Sequence, residues 1–186
     1  MISETFDALE KYACLLQECI PPESQVFIDL VARAEDSRLV PLAIYTLAAS
    51  KGFEQLAVAC SFHALHVPIS SIDEQTAMAM GPIYFLGLAR LHEHRKKALS
   101  KLLQKPPNQH EDTATCSPEN RNSMMRAYGL IAGYLTWGAE SDTQEDWIKA
   151  CFMKLKGSVE CSRCEENVNE RVQSVLDGWA RVIKTI

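Results

Sequence analysis

The stretch 41-PLAIYTLAASKGFEQLAVACSFHAL-65 decides the fold. In its first half Leu42, Tyr45, Thr46 and Ala49 recur at the three- and four-residue steps of one helix face. In its second half Leu56, Ala57, Cys60 and Ala64 do the same. Gly52 stops the first helix, and the second ends before Pro68. The "SKGF" between them leaves room only for an antiparallel helical hairpin.

The same period continues on both sides. Upstream, Phe6, Leu9, Tyr12, Ala13 and Leu16 predict a helix that stops at Pro21-Pro22. A second helix begins at Pro22-Glu23-Ser24 and carries Val26, Phe27, Leu30, Val31 and Ala34. Downstream, "SSID" offers a capped start for a short helix through Ala77 and Met80. Gly81-Pro82 then opens a longer one with Ile83, Leu86, Leu91, Leu99 and Leu102, which stops at Pro106-Pro107. Residues 105–120 are polar and turn-rich, the one long loop. Three more helices follow: one with Met125, Tyr128, Ile131, Ala132, Leu135 and Trp137; a short one with Trp147, Ile148, Cys151 and Phe152; and a last one from about Glu165 through Val168, Val172, Val175, Leu176, Trp179 and Ile183. No stretch alternates convincingly with period two, and no close repeat is visible. The expectation is one all-α domain over 1–186, built of eight or nine helices in stacked antiparallel hairpins with an α-solenoid-like arrangement.

Composition agrees with a folded chain. Hydrophobic residues make up 47% and charged residues 23% of 186, which excludes global disorder. The formal charge of −5 disfavours nucleic acid as a partner unless a local basic face overrides it. One helix does carry Arg90, Arg95, Lys96, Lys97, Lys101 and Lys105. With no aromatics interleaved for base stacking, a solvated face is the simpler reading. The start, "MISETFDALEKYACLLQEC", has acids where a secretory leader has lysines, and the apolar run Leu39–Ala49 is broken by Pro41 and falls short of the ~20 residues of a membrane span. The expectation is an intracellular protein, cytoplasmic or nuclear, without a membrane partner.

Cys14, Cys19, Cys60, Cys116, Cys151, Cys161 and Cys164 are odd in number and irregularly spaced. In a reducing compartment such cysteines are core residues or metal ligands more often than disulfide partners. The Cys161-Ser162-Arg163-Cys164 spacing lets two thiolates from one tight turn take two corners of a zinc tetrahedron, and a following helix N-terminus favours their charge. The remaining ligands must come from elsewhere. The polar loop offers Cys116 and His110, with His92 or His94 as alternatives to His110. A loop this long is uncommon unless something pins it, and a shared ion would. Two other readings stand beside this one. The pair can be plain reduced thiols at a helix start, or a thioredoxin-like redox pair, which requires a βαβ context this chain lacks. A site with four protein ligands would be closed and structural, with no position left for catalytic water.

Signatures of other chemistry are absent. There is no G-x-S-x-G, H-E-x-x-H, G-x-x-x-x-G-K-[ST] or G-x-G-x-x-G, and the deaminase pattern fails because Glu160, not proline, precedes Cys161. His63 and His66 read as a capping or surface pair. Trp137, Trp147 and Trp179 read as core anchors.

The order "PLAIYTLAASKGFEQLAVACSFHAL", "MGPIYFLGLARLHEHRKKALSKLLQKPP", "RAYGLIAGYLTWGAE", "CSRC" and "WARVIKTI" resembles the region C-terminal to the BTB/POZ domain of fungal BTB-domain proteins, from about Val31 onward. The residues that carry the resemblance are Met80-Gly81, Tyr84, Cys116, Trp137, Cys161, Cys164 and Lys184-Thr185-Ile186. It implies a BACK-like helical region in which Cys116 belongs with the C-x-x-C as one ligand set. It also implies a non-enzymatic scaffold that recruits a protein partner, such as a ubiquitin-ligase substrate. Residues 1–35 resemble only the last helices of a BTB domain, so the strand-and-helix BTB core is expected to be missing. Two readings from other classes are a zinc-stabilised nucleic-acid-binding or transcription-associated protein using the 90–105 helix, and a hydrolytic or redox enzyme using the cysteines.

Overall fold

A computed structural model describes residues 4, 7–8, 16–35, 40–111, 113, 116–155 and 161–186. In chain order the elements are α1 (Leu16–Cys19), α2 (Gln25–Glu35), α3 (Val40–Ser50), α4 (Glu54–Ala64), a 3-10 turn (Ile69–Ser71), α5 (Glu74–Gln104), α6 (Pro118–Gly138), α7 (Glu145–Met153) and α8 (Ser162–Ala180). The fold is all-α: among the described residues β-pairing is limited to an isolated bridge between Thr113 and Cys116. The expected helix over Phe6, Leu9, Tyr12 and Ala13 falls largely outside the described residues, as does Cys14.

The chain clusters into two compact units, 1–92 with 183–186, and 93–182. The division falls within α5. In the first unit α3 and α4 pack along each other more extensively than any other pair of elements, as the short "SKGF" connection requires. Gly52 at φ 62° closes α3. Its N–H reaches the Ala49 carbonyl at 3.1 Å and the Phe53 N–H reaches the Ala48 carbonyl at 2.8 Å, the paired bonds of a Schellman motif, for which the positive φ favours glycine. α2 starts at Ser24, whose Oγ accepts the Phe27 N–H at 3.2 Å. Phe27, Leu30 and Ala34 from α2, Ile44, Tyr45, Ala48 and Ala49 from α3, and Leu56, Ala57 and Cys60 from α4 form the core. Each large apolar side chain buried there contributes about 1.5–3 kcal/mol. Tyr45 is fully enclosed, and its hydroxyl donates to the Tyr84 carbonyl at 2.8 Å. Burial raises the pKa of that phenol and pushes the Cys60 thiol up to about 12, so Cys60 is an inert core thiol. The C-terminal residues belong to this unit: the Ile186 N–H donates to Ser61 Oγ at 3.1 Å.

α5 contains the break that Gly81-Pro82 predicts. Gly81 sits at φ 76°, ψ 164°, outside helical space, and Pro82 restarts the helix. Asp73 Oδ1 accepts the Thr76 N–H at 2.7 Å and caps the first segment.

The second unit is built on α6, α7 and α8, which pack mutually. Its core joins Leu99 and Leu103 of α5 to Met124, Tyr128 and Leu135, Ile148, Cys151 and Phe152, and Val168, Val175, Leu176 and Trp179. Tyr128 stacks on Phe152 at 5.3 Å between centroids. Trp179 Nε1–H donates to the Thr143 carbonyl at 3.0 Å.

Several expected core positions prove to be surface. Val26, Ile83, Leu86 and Ile183 are exposed, and Trp137, expected as a core anchor, is 93% exposed. A helical period marks a face as apolar without requiring that another element cover it, and Ile183, expected in the last helix, lies beyond its end at Ala180. Leu88, Leu103 and Met124 hold the buried registers instead. The last helix begins at Ser162, earlier than the expected Glu165.

Candidate metal centre

Three chain segments of the second unit bring the candidate ligands together. α8 has Cys161 as its N-cap and Cys164 in its first turn. Cys116 directly precedes Ser117, the N-cap of α6, whose Oγ accepts the Asn120 N–H at 3.3 Å, with Pro118 opening the helix. His110 comes from the loop after α5. Cys116, Cys161 and Cys164 are therefore held at two helix N-termini, where the macrodipole favours negative charge.

The loop is tethered on both sides of this point. Arg171 of α8 donates through Nε to the Lys105 carbonyl at 2.8 Å and through its other nitrogens to the Leu102 carbonyl and Ser174. The Tyr128 hydroxyl also reaches the Lys105 carbonyl, at 3.1 Å. The free carbonyls at the end of α5 are thus capped by α8 and α6 side chains. Asn167 Nδ2 donates to the Asn108 carbonyl at 3.0 Å. At the far end the Cys116 N–H turns back onto the Thr113 carbonyl at 3.2 Å.

The four ligand atoms lie within 4.8 Å of one another. A tetrahedral zinc with bonds of about 2.3 Å to sulfur and about 2.05 Å to nitrogen requires S···S edges of about 3.8 Å and S···N edges of about 3.6 Å. Here Cys116 Sγ···Cys164 Sγ is 3.7 Å, Cys161 Sγ···His110 Nε2 is 3.5 Å and Cys164 Sγ···His110 Nε2 is 3.2 Å. The sulfurs are far from bonding distance and the thiols are free. His110 Nδ1 lies 2.6 Å from the Glu111 carbonyl. A proton on Nδ1 donated there leaves the Nε2 lone pair facing the sulfurs, the orientation a ligating histidine needs.

The thiols are electrostatically unequal. The backbone N–H of Cys164, aided by the neighbouring Cys116 thiol, the Arg163 N–H and His110, brings Cys161 down to about 7. Burial, then the adjacent Cys116 and Cys161 sulfurs, push Cys164 up to about 12. A dication among them would offset the part of the second shift that the crowded sulfurs cause.

All four ligand positions expected from sequence thus converge, and the group could hold a metal ion. His92 and His94 are not members of it. Of the other cysteines, Cys60 and Cys151 are buried in the two cores and Cys19 is exposed. Sequence reasoning missed Asn167 and Arg171, which fix the loop; polar residues on an amphipathic helix give no sign of a partner about sixty residues away.

The basic helix is less basic than its composition. Arg95 is 3% exposed. Its Nε donates to the Ser141 carbonyl at 2.5 Å, and its guanidinium lies 4.3 Å from the centre of the Trp179 ring. Lys96 and Lys97 pair with Glu140 at 2.6 Å and Glu93 at 2.8 Å. A mostly apolar cleft of about 330 Å³ lies between α7 and α8, lined by Phe152, Met153, Val168, Val172 and Leu176 together with Lys149 and Glu165. Among the described residues no helix is long and apolar enough to cross a membrane. No protein-family model, curated protein or solved structure matches the chain.

Proposed function

We propose that this protein is a non-enzymatic helical interaction scaffold whose 105–120 loop is fastened by a structural zinc ion on Cys116, Cys161, Cys164 and His110. The single observation that carries the reading is the gathering of four ligand atoms within 4.8 Å of one another, with Cys116–Cys164, Cys161–His110 and Cys164–His110 separations of 3.7, 3.5 and 3.2 Å near the edge lengths of a zinc tetrahedron. Three thiolates and one imidazole are a soft donor set that favours zinc over magnesium or calcium. With four protein ligands the ion keeps no open position, so its contribution is to stability and not to turnover. When bound it supplies a crosslink between the loop and the N-termini of α6 and α8. The helical hairpin of α3 and α4 supports a stacked-hairpin, BACK-like arrangement. The resemblance to the region following the fungal BTB domain supports a protein as the partner that such a scaffold recruits.

The rival reading, nucleic-acid contact through the 90–105 helix, has less support, because Arg95 is buried and Lys96 and Lys97 are engaged with carboxylates. Metal analysis by mass spectrometry tests the proposal. Purified protein should carry about one zinc per chain, and a Cys161→Ser, Cys164→Ser double variant should carry none. A wild-type chain that is metal-free after zinc-replete expression would refute it.

A further inference from the structure

Three of the four candidate ligands are thiols, and they are not held alike. Cys161 and Cys164 both belong to the start of α8, as its N-cap and a residue of its first turn, so that one helix sets their separation. Cys116 stands outside any helix, one residue before Ser117, the N-cap of α6. Its Sγ lies 3.7 Å from Cys164 Sγ. Disulfide sulfurs are about 2.05 Å apart, so a bond between these two needs an approach of about 1.7 Å, within the reach of side-chain rotation at Cys116. Cys161 Sγ meets the imidazole instead, 3.5 Å from His110 Nε2. Cys164 touches both sides of the cluster, because its sulfur is also 3.2 Å from that nitrogen. The three cysteines are buried, whereas His110 is half-buried and carried on a loop. A local opening that moves His110 aside uncovers Cys164 to a water-sized oxidant.

We propose that Cys116 and Cys164 are a redox pair, which a hydroperoxide joins in a disulfide that expels the zinc ion and frees His110. The proposal rests on the zinc reading above and gives that site a regulation. The Cys164 thiolate attacks one peroxide oxygen and the O–O bond breaks. The other oxygen takes one proton and departs as an alcohol, or as water when the oxidant is hydrogen peroxide. The Cys116 thiolate then attacks the sulfenic sulfur, so that the S–S bond forms, the S–O bond breaks and the hydroxide departs as water with a second proton. Two electrons pass from the sulfurs to the peroxide, and zinc leaves as the unchanged dication. Cys161 and His110 alone remain, too few to hold a tetrahedral ion. The disulfide still joins the start of α6 to α8 across 48 residues of chain. Oxidation therefore unfastens the loop at His110 and leaves the two helices tied, whereas a chelator removes both links.

Hydrogen peroxide added to the zinc-loaded full chain tests this, with zinc release read by a chromophoric chelator and the linkage by peptide mapping without reduction. Zinc should leave in step with the loss of two thiols, a Cys116–Cys164 peptide pair should appear, and reductant with added zinc should reverse both. Hydrogen exchange should rise around His110, while the first turn of α8 keeps the protection that chelation removes. Cys161→Ser retains the pair and should give the same linked peptides, and Cys116→Ser should give none. A bond between Cys161 and Cys164 overturns the proposal, as does zinc lost with sulfinic acid and no disulfide, or zinc retained in excess peroxide. A chain that takes up no zinc overturns the metal reading and this one together. It does so at the loading step, before peroxide is added, so the two failures are told apart.

Discussion

Stripping the metal from the Cys116, Cys161, Cys164 and His110 centre should lower the melting temperature by about 8–16 °C. The magnitude follows from the chain separations the centre bridges. Cys116 and Cys164 are 48 residues apart, and closing a loop of that length in the unfolded chain removes entropy equivalent to about 4 kcal/mol. Linkage provides an independent figure: free zinc at about a thousand times its Kd stabilises the folded form by about 4 kcal/mol. For a chain of this size each kcal/mol moves the midpoint by roughly 2–4 °C. The assay is differential scanning calorimetry of zinc-loaded protein before and after dialysis against a chelator. Cys164→Ser serves as a metal-free reference, and Cys151→Ser as a buried-thiol control that should still respond to the chelator. Hydrogen exchange should localise the loosening to the tethered loop and the first turn of α8. An unchanged midpoint on chelation, with thiol reactivity also unchanged, would refute the argument that the ion crosslinks this unit.

Further outcomes follow from the same geometry. Burial and neighbouring sulfurs hold the Cys164 proton on at neutral pH, so binding must expel at least that proton, and apparent zinc affinity should rise about tenfold or more per pH unit in competition titrations near neutrality. A flat profile would mean Cys164 is not a ligand. Arg171→Ala frees the Lys105 and Leu102 carbonyls. It should cost about 1–2 kcal/mol in urea unfolding and weaken zinc binding roughly 10–100-fold by loosening the root of the loop. Arg95→Leu removes a buried charge-assisted bond to Ser141 and the contact with Trp179. A loss of about 2–4 kcal/mol is expected, against less than about 0.5 kcal/mol for the exposed Lys97→Ala. Equal effects in the two variants would return Arg95 to the solvated face.

These predictions separate what the sequence could show from what it could not. The "SKGF" hairpin, the Gly81-Pro82 break and the C-x-x-C at a helix start were legible because each is a local rule: a short connection, a residue tolerant of positive φ, two thiols in one turn. That the loop cysteine and histidine gather with the C-x-x-C was legible by chemistry, since few residue types can ligate a metal ion. Trp137, Ile83 and Leu86 were misread because period 3.6 shows that a face is apolar and not whether another helix covers it. Arg95 was misread for the complementary reason. Its burial depends on Ser141, 46 residues away, and on Trp179, and no local pattern encodes either contact.

That His110, and not His92 or His94, joins the three cysteines ties the proposed metal centre to the loop. Pro107 of the loop is buried, and the root of the loop is held through the carbonyls that Arg171, Tyr128 and Asn167 capture. Those bonds end at Asn108, two residues short of the ligand. From there His110 is oriented by the bond from Nδ1 to the Glu111 carbonyl and by the sulfurs facing Nε2. A histidine already fixed on α5 would bring a ligand without fastening anything. One drawn from the loop would make each ligand bond of the proposed ion a tertiary contact, so that metal affinity would report whether α6, α8 and the loop are assembled. The Arg171→Ala variant tests that coupling directly, because its side chain reaches the loop's carbonyls and makes no contact with a ligand atom among its described bonds.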